Sequence, residues 1–302
     1  MCRLFGFRSQ QHLSACHPLI GAENALVVQS RQHRDGWGVA YFENRLPTIH
    51  KGTAPACDDC GFSTLCQALS SDVLIAHVRQ ATVGSVAPQN THPFHYESWV
   101  FAHNGTVYGF QKLRPYFLEE MTPHLRSRIQ GSTDSEHCFY LLLSELEALN
   151  ELHEVSAQDL EEALAICLQK IASWCRLVGI REAPCMNFMI SNGSLFAATR
   201  LGRDLYFATQ HHPEDISSDA SRHDNAVIRY TVERHTRGRP IARLLVASER
   251  ISAEEAWEEV PNNAVLVLDE AMNFRLRRDV AELSQLEFSP LASSLHSGGI
   301  AS

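Results

Sequence analysis

Two hydrophobic rhythms alternate along the chain. Up to His103 the apolar residues gather in short runs: residues 2–7 around Leu4, Phe5 and Phe7, then 36–42 entered through glycines, then 73–78 and 99–103. Runs of this length between polar turn residues predict buried strands. The period changes at Asp134. Cys138, Leu141, Leu142, Glu145 and Leu149 recur at helical spacing, and Thr133 with Glu136 fits a capping box, so a helix is expected over 134–149. A second amphipathic helix is expected over 156–177, with Leu160, Leu164, Cys167, Leu168 and Ile171 on one stripe. Beyond Pro184 strands return, over 187–190, 195–199, 204–208, 227–232, 243–247, 264–269 and 274–277, with Asn192-Gly193 as a hairpin turn. Strands, then helices, then strands predict an α+β layered fold: two facing sheets with helices outside, not alternating parallel units. No repeat or linker divides the chain, so one domain is expected over 2–283. The Ser- and Gly-rich residues 284–302 are expected to form a mobile tail.

Composition narrows the function. The 302 residues are 44% hydrophobic and 20% charged, which excludes disordered and collagen-like classes. The 26 Lys+Arg against 35 Asp+Glu give −9 with neutral His, so neither nucleic acid nor an anionic membrane is the expected partner. No apolar stretch has the length of a membrane span, and Arg3 and Arg8 interrupt the start where a signal peptide would need an apolar run. A cytoplasmic location is expected. Nine cysteines is an odd number, and in a reducing compartment most should be core residues or free thiols. Cys57-Asp58-Asp59-Cys60 with Cys66 could belong to a zinc-docking module, a non-catalytic reading. The C-x-x-C is single, however, and zinc needs four ligands, so a loop with chance cysteines is the favoured reading. His211-His212-Pro213 reads as a loop rather than a ligand pair. No metal and no cofactor is expected.

The candidate chemistry begins at Cys2. A methionine before so small a residue is normally trimmed, which would expose the Cys2 α-amine beside its own thiol. Their reference pKa values, about 7.7–8 and about 8.5, would place a base and a nucleophile in one residue. Equally, any residue can stand at position 2. Arg79 follows an apolar strand, where it could clamp a carboxylate with two parallel hydrogen bonds or simply form a surface ion pair. Asn104-Gly105 could supply an amide donor and a closely approaching N–H for an oxyanion, or form an ordinary Asn-Gly turn. Asp134 could hold a substrate ammonium, or serve the helix dipole in its first turn.

Six motifs in order, MCRLFGF, HRDGWGVAYF, IAHVRQAT, NTHPF, FAHNGTV and STDSE, span Cys2 to Glu136. With them the chain resembles the class II (N-terminal cysteine) glutamine amidotransferases, nearest to their stand-alone YafJ-type and ergothioneine-pathway amidohydrolase branch. Weaker similarity continues through MNFMISNG and LLVASE to about Asp269. The resemblance implies a four-layer αββα N-terminal nucleophile hydrolase sandwich. It implies Cys2 as nucleophile with its α-amine as base, and Asn104 and Gly105 as the oxyanion hole. Arg79 would take the α-carboxylate of the substrate and Asp134 its α-amine. Thr82 and His92 would line the pocket, and Trp37, with Gly36 and Gly38, would shape its wall. Synthetase members carry Arg-Trp-Ala-Thr where this chain has Arg79-Gln80-Ala81-Thr82, a difference the stand-alone branch shares.

The expected chemistry is acyl transfer from a small-molecule substrate, glutamine or a γ-glutamyl amide, through a thioester on Cys2. The rival is a glutaminase subunit that passes ammonia to a separate synthetase. Few residues lie beyond the resemblance, so no acceptor domain is expected within the chain. A protein partner or homo-oligomer stays open at this point.

Overall fold

The computed structural model describes residues 2–211 and 240–281. In chain order, β1 (Arg3–Ser14) leads through a π-helical turn (His17–Gly21) and α1 (Leu26–Gln29) to the hairpin of β2 (Trp37–Glu43) and β3 (Leu46–Gly52). Next come α2 (Cys60–Ala68), β4 (Ser70–Val78), β5 (Phe94–Tyr96) and β6 (Trp99–Thr106). The helical section holds α3 (Phe110–Glu120), α4 (Pro123–Arg126), α5 (Asp134–Leu149) and α6 (Ala157–Leu177). The last part holds β7 (Cys185–Ser191), β8 (Phe196–Arg200), β9 (Tyr206–Gln210), β10 (Arg243–Ala247), β11 (Glu258–Glu259), β12 (Ala264–Leu268) and β13 (Phe274–Arg278). The strand expected over 227–232, the expected tail over 284–302, and His212-Pro213 lie outside the described residues.

The strands form two antiparallel sheets. One has seven strands in the order β11-β9-β10-β1-β4-β2-β3, and the other six in the order β13-β12-β8-β7-β6-β5. Alternation along each strand sends successive side chains into different layers. In β1, Leu4 faces the other sheet and joins Ala102, Met189, Phe196 and Leu266 in the inter-sheet core. Phe5 and Phe7 face outward, onto Leu19, Leu26 and Phe62 from the helical turns and α2. In the second sheet Phe101, Phe188 and Val267 pack against Leu142, Leu164, Leu168 and Ile171 of α5 and α6. The result is the expected four-layer helix–sheet–sheet–helix sandwich. Burial on both faces is why these strands read as near-continuous apolar runs rather than as alternating ones.

The differences from the sequence reading have local causes. β1 runs to Ser14 instead of stopping at Phe7, because Arg8 is buried and its guanidinium donates to the carbonyls of Gly193 (3.0 Å) and Glu270 (3.3 Å). Its ladder with β4 slips register between Arg8 and Leu13. β3, an edge strand with Pro47, His50 and Lys51, has no buried residue and so no apolar signature. α3 carries Pro115 in its interior, which hides it from a helix reading. Thr133 does cap α5, accepting the Glu136 N–H at 3.2 Å. The Glu136 carboxylate does not complete the expected box; it accepts instead from the N–H groups of Gln130 (2.9 Å) and Gly131 (2.6 Å), fixing the loop that enters the helix. The full reciprocal box is found at α6, between Ser156 and Asp159.

Candidate active site

Cys2 stands one residue ahead of β1, a strand in the middle of its sheet. The β1–β4 register pairs Arg3 with Val78, which brings Cys2 opposite the residues that leave β4. There its sulfur meets both edges of one residue: the Gln80 N–H donates to Sγ at 3.4 Å, and the thiol donates to the Gln80 carbonyl at 3.4 Å. Burial pushes the thiol pKa up, while the Gln80 hydrogen bond and the Arg79 cation pull against it. A thiol raised in this way needs a base close by before it can attack.

Arg79 is buried and lines the same cavity, and its guanidinium donates to the carbonyls of Ser85 (3.0 Å), Val83 (3.1 Å) and Gly84 (3.4 Å). Across the cavity, Asp134 opens α5 and is equally buried. Its Oδ2 accepts the Val107 N–H at 2.8 Å and its Oδ1 the Ser135 N–H at 2.9 Å. A carboxylate at a helix start, fed by two backbone donors and lining a cavity, can receive an ammonium group.

Gly105, near the end of β6, forms another part of the lining. A Cβ there would overlap the Cys185 carbonyl oxygen and the His103 ring, so the position tolerates no side chain. Asn104 beside it is buried but is not among the residues that line the cavity, and its Oδ1 has no hydrogen-bond partner. An oxyanion would need the Nδ2–H of that amide rather than its orphaned oxygen.

Similarity to known proteins shows the family. The family model for glutamine amidotransferases class-II matches residues 1–285. The chain belongs to the class II glutamine amidotransferases. It is 30% identical over 299 residues to a probable glutamine amidotransferase of Saccharomyces cerevisiae, covering 89% of this chain and 82% of that one. It is 34% identical over 117 residues to the gamma-glutamyl-hercynylcysteine sulfoxide hydrolase of Mycobacterium tuberculosis, 35% of this chain and 50% of the relative. Matches to two bacterial putative amidotransferases span about half of those proteins, 52% and 55%. Among solved structures, a glutamine aminotransferase class-II domain protein from Silicibacter pomeroyi superposes with a TM-score of 0.61 at 22% identity, covering 92% of this chain and 99% of that one. At that identity the likeness concerns the fold.

Within this amidotransferase the remaining expected site residues divide. Thr82 and His92 line the cavity with Cys2, Arg79, Gly105 and Asp134. The Thr82 and Thr106 hydroxyls are 3.4 Å apart. His92 is buried and its ring lies 4.2 Å from that of His77, and neither of its own ring nitrogens has a hydrogen-bond partner. Burial holds both imidazoles below their usual pKa range, His77 down to about 3.

Trp37 does not join the cavity lining. It faces the outer helices, with its ring edge-on to Phe62 at 5.0 Å and its Nε1–H donating to Asp59 Oδ2 at 2.8 Å. Strand alternation is the reason. Gly38, the next residue, faces inward, where a Cβ would overlap the His92 carbonyl, so close backbone packing rather than an aromatic wall occupies that side.

The structure adds members that the motifs contained without marking. His103 is buried between two partners. The Cys185 carbonyl at 2.9 Å can only accept, so Nε2 carries the proton and Nδ1 accepts from the Ser135 hydroxyl at 2.9 Å. The histidine inside the apolar run FAH was the available signal. Cys66 is buried on α2, whereas Cys60 is exposed; no group of three or more metal-ligating side chains that could hold an ion occurs among the described residues. No helix among them is long and apolar enough to cross a membrane.

Proposed function

We propose that the protein is a cysteine-dependent amidohydrolase that cleaves the γ-carboxamide of glutamine or of a γ-glutamyl compound through a γ-glutamyl thioester on Cys2. The observation that carries this reading is the sharing of one cavity by a clasped thiol, a buried cation and a buried carboxylate: Cys2, Arg79 and Asp134. A free amino acid head group presents a carboxylate and an ammonium, and Arg79 and Asp134 complement both.

In the proposed course, removal of Met1 frees the Cys2 α-amine. That amine takes the thiol proton, and Sγ bonds to the γ-carbonyl carbon. The Asn104 amide and the Gly105 N–H receive the oxyanion. The C–N bond then breaks as the ammonium form of the N-terminus protonates the leaving amine, which yields the thioester. Water, deprotonated by the same amine, adds to the thioester; the C–S bond breaks, and glutamate and the thiol are released. The neutral buried imidazoles of His92 and His103 add no competing positive charge to the cavity.

The test assays ammonia release from glutamine and free-amine release from γ-glutamyl peptides in parallel, for wild type and Cys2→Ala. The variant should be inactive on both; normal turnover in it would sink the scheme. Loss of one oxyanion donor typically costs ~3–4 kcal/mol, so Asn104→Ala should slow turnover about a hundredfold or more. Intact-mass measurement should find Met1 absent, and a retained Met1 refutes the assigned base.

A further inference from the structure

We propose that Asp35 is a positioning residue for the nucleophile: it holds the two peptide groups that flank Gln80 so that both present their opposite edges to the Cys2 sulfur. Residues 79–81 lie beyond the end of β4, where the regular ladder no longer supplies partners, and every peptide group there needs one from elsewhere. Asp35 and Gly36 provide them. The Asp35 N–H donates to the Arg79 carbonyl at 3.0 Å, and the Gly36 carbonyl accepts from the Arg79 N–H at 2.8 Å. The Asp35 side chain then accepts the Ala81 N–H through Oδ2 at 2.8 Å.

Peptide planarity carries the consequence. In a trans peptide the C=O and the N–H of one plane point in opposite directions. The plane between residues 79 and 80 offers its carbonyl to the Asp35 backbone, so its other edge, the Gln80 N–H, points to Sγ. The plane between residues 80 and 81 offers its N–H to the Asp35 carboxylate, so its other edge, the Gln80 carbonyl, faces the thiol. Only this second plane depends on the Asp35 side chain. A carboxylate on the Ala81 N–H also polarises that peptide, which strengthens the Gln80 carbonyl as acceptor of the thiol proton. Asp35 therefore sets the thiol's direction without touching it. Its carboxylate also acts on the Arg79 cation, whose burial it opposes.

This inference rests on the reading of Cys2 as nucleophile, and the test separates the two. Cys2 labelling by iodoacetamide is followed from pH 6 to 10 by mass spectrometry of the N-terminal peptide, beside turnover of a γ-glutamyl anilide. The N-terminal amine, Arg79, Asp134, His92 and His103 surround the thiol and His33 faces Gln80 and the N-terminus in every variant, so differences between profiles isolate residue 35. In Asp35→Ala the released Gln80 carbonyl no longer favours the protonated thiol. The labelling midpoint should move to lower pH, while turnover falls at least tenfold. Asp35→Asn keeps an oxygen acceptor for the Ala81 N–H and should restore the wild-type midpoint, with turnover within about threefold. Asp35→Glu keeps the charge but displaces it, and should behave like the alanine variant. If the alanine variant fails to fold, the asparagine and glutamate variants make the same comparison. An unmoved midpoint in both Ala and Glu variants, or an asparagine variant as impaired as alanine, overturns the proposal. Wild type that labels at Cys2 but turns over no γ-glutamyl compound would overturn the function proposed above and leave the labelling test standing.

Discussion

The Asp134 carboxylate accepts the Val107 N–H at 2.8 Å, which ties the start of α5 to the chain just past the end of β6. The bond joins a helix of the outer layer to the sheet beneath it, at the point where Gly105 enters the cavity. The same carboxylate therefore has a structural duty and a place in the proposed site, and substitution separates the two. Asp134→Asn keeps an acceptor for Val107 but removes the charge. It should fold with a near-normal melting temperature and raise KM for a γ-glutamyl substrate at least tenfold. Asp134→Ala leaves buried N–H groups unpaired and should also lose about 1–3 kcal/mol of stability in denaturant unfolding. Equal KM values for wild type and Asp134→Asn would remove the ammonium role.

Gly105→Ala should be worse than an ordinary surface change. Its Cβ would overlap the Cys185 carbonyl and the His103 ring, so β6 and β7 must separate. A cost of about 1–3 kcal/mol is typical of such overpacking. Thermal melting should show it, and the displaced N–H should abolish turnover. A variant with wild-type melting and activity would mean that the two strands can yield there.

Acid should act through the buried histidines. His77 has a pKa near 3 in the fold against an ordinary 6.5, and burial is the main cause. A base with a depressed folded pKa is protonated first in the unfolded chain. Its contribution to stability is therefore complete above pH 6.5 and falls as pH drops from there towards 3. The slope is about 1.4 kcal/mol per pH unit for each such histidine. His77→Leu should remove one of these slopes, so its unfolding free energy relative to wild type should improve between pH 6.5 and 5. Parallel urea titrations across that range measure it, and a constant difference would contradict the buried, neutral assignment.

Trp37→Phe tests the outward placement of that ring. The variant loses the 2.8 Å hydrogen bond to Asp59 but keeps an aromatic edge against Phe62. Stability should fall by about 1 kcal/mol while kcat/KM stays within about twofold. A large loss of activity without loss of stability would return Trp37 to the pocket wall.

The long elements were legible in the chain because their periods are strong. The helix of Asp134–Leu149 and the strand of Arg243–Ala247 fall where the apolar pattern places them. β3 and α3 were not, since an exposed edge strand needs no apolar face and a helix with Pro115 lacks the usual local signal. The candidate site was legible as residue types in motif order: Cys2, Arg79, Asn104-Gly105 and Asp134. Which way each side chain faces was not. Trp37 and Gly38 occupy one motif and opposite sides of a sheet, and only the layer packed on each side decides that Trp37 meets Phe62 and Gly38 the His92 backbone. Asp35 is one more polar residue of a turn until β2 and β4 pair and bring it under Ala81, 46 positions along the chain. By itself the sequence determined the family, the layers and the chemical groups, because period and residue type are local properties. The tertiary structure decided the direction of the Cys2 sulfur and the partners that hold it, because those bonds join peptide groups distant in sequence, and strand register alone brings them together.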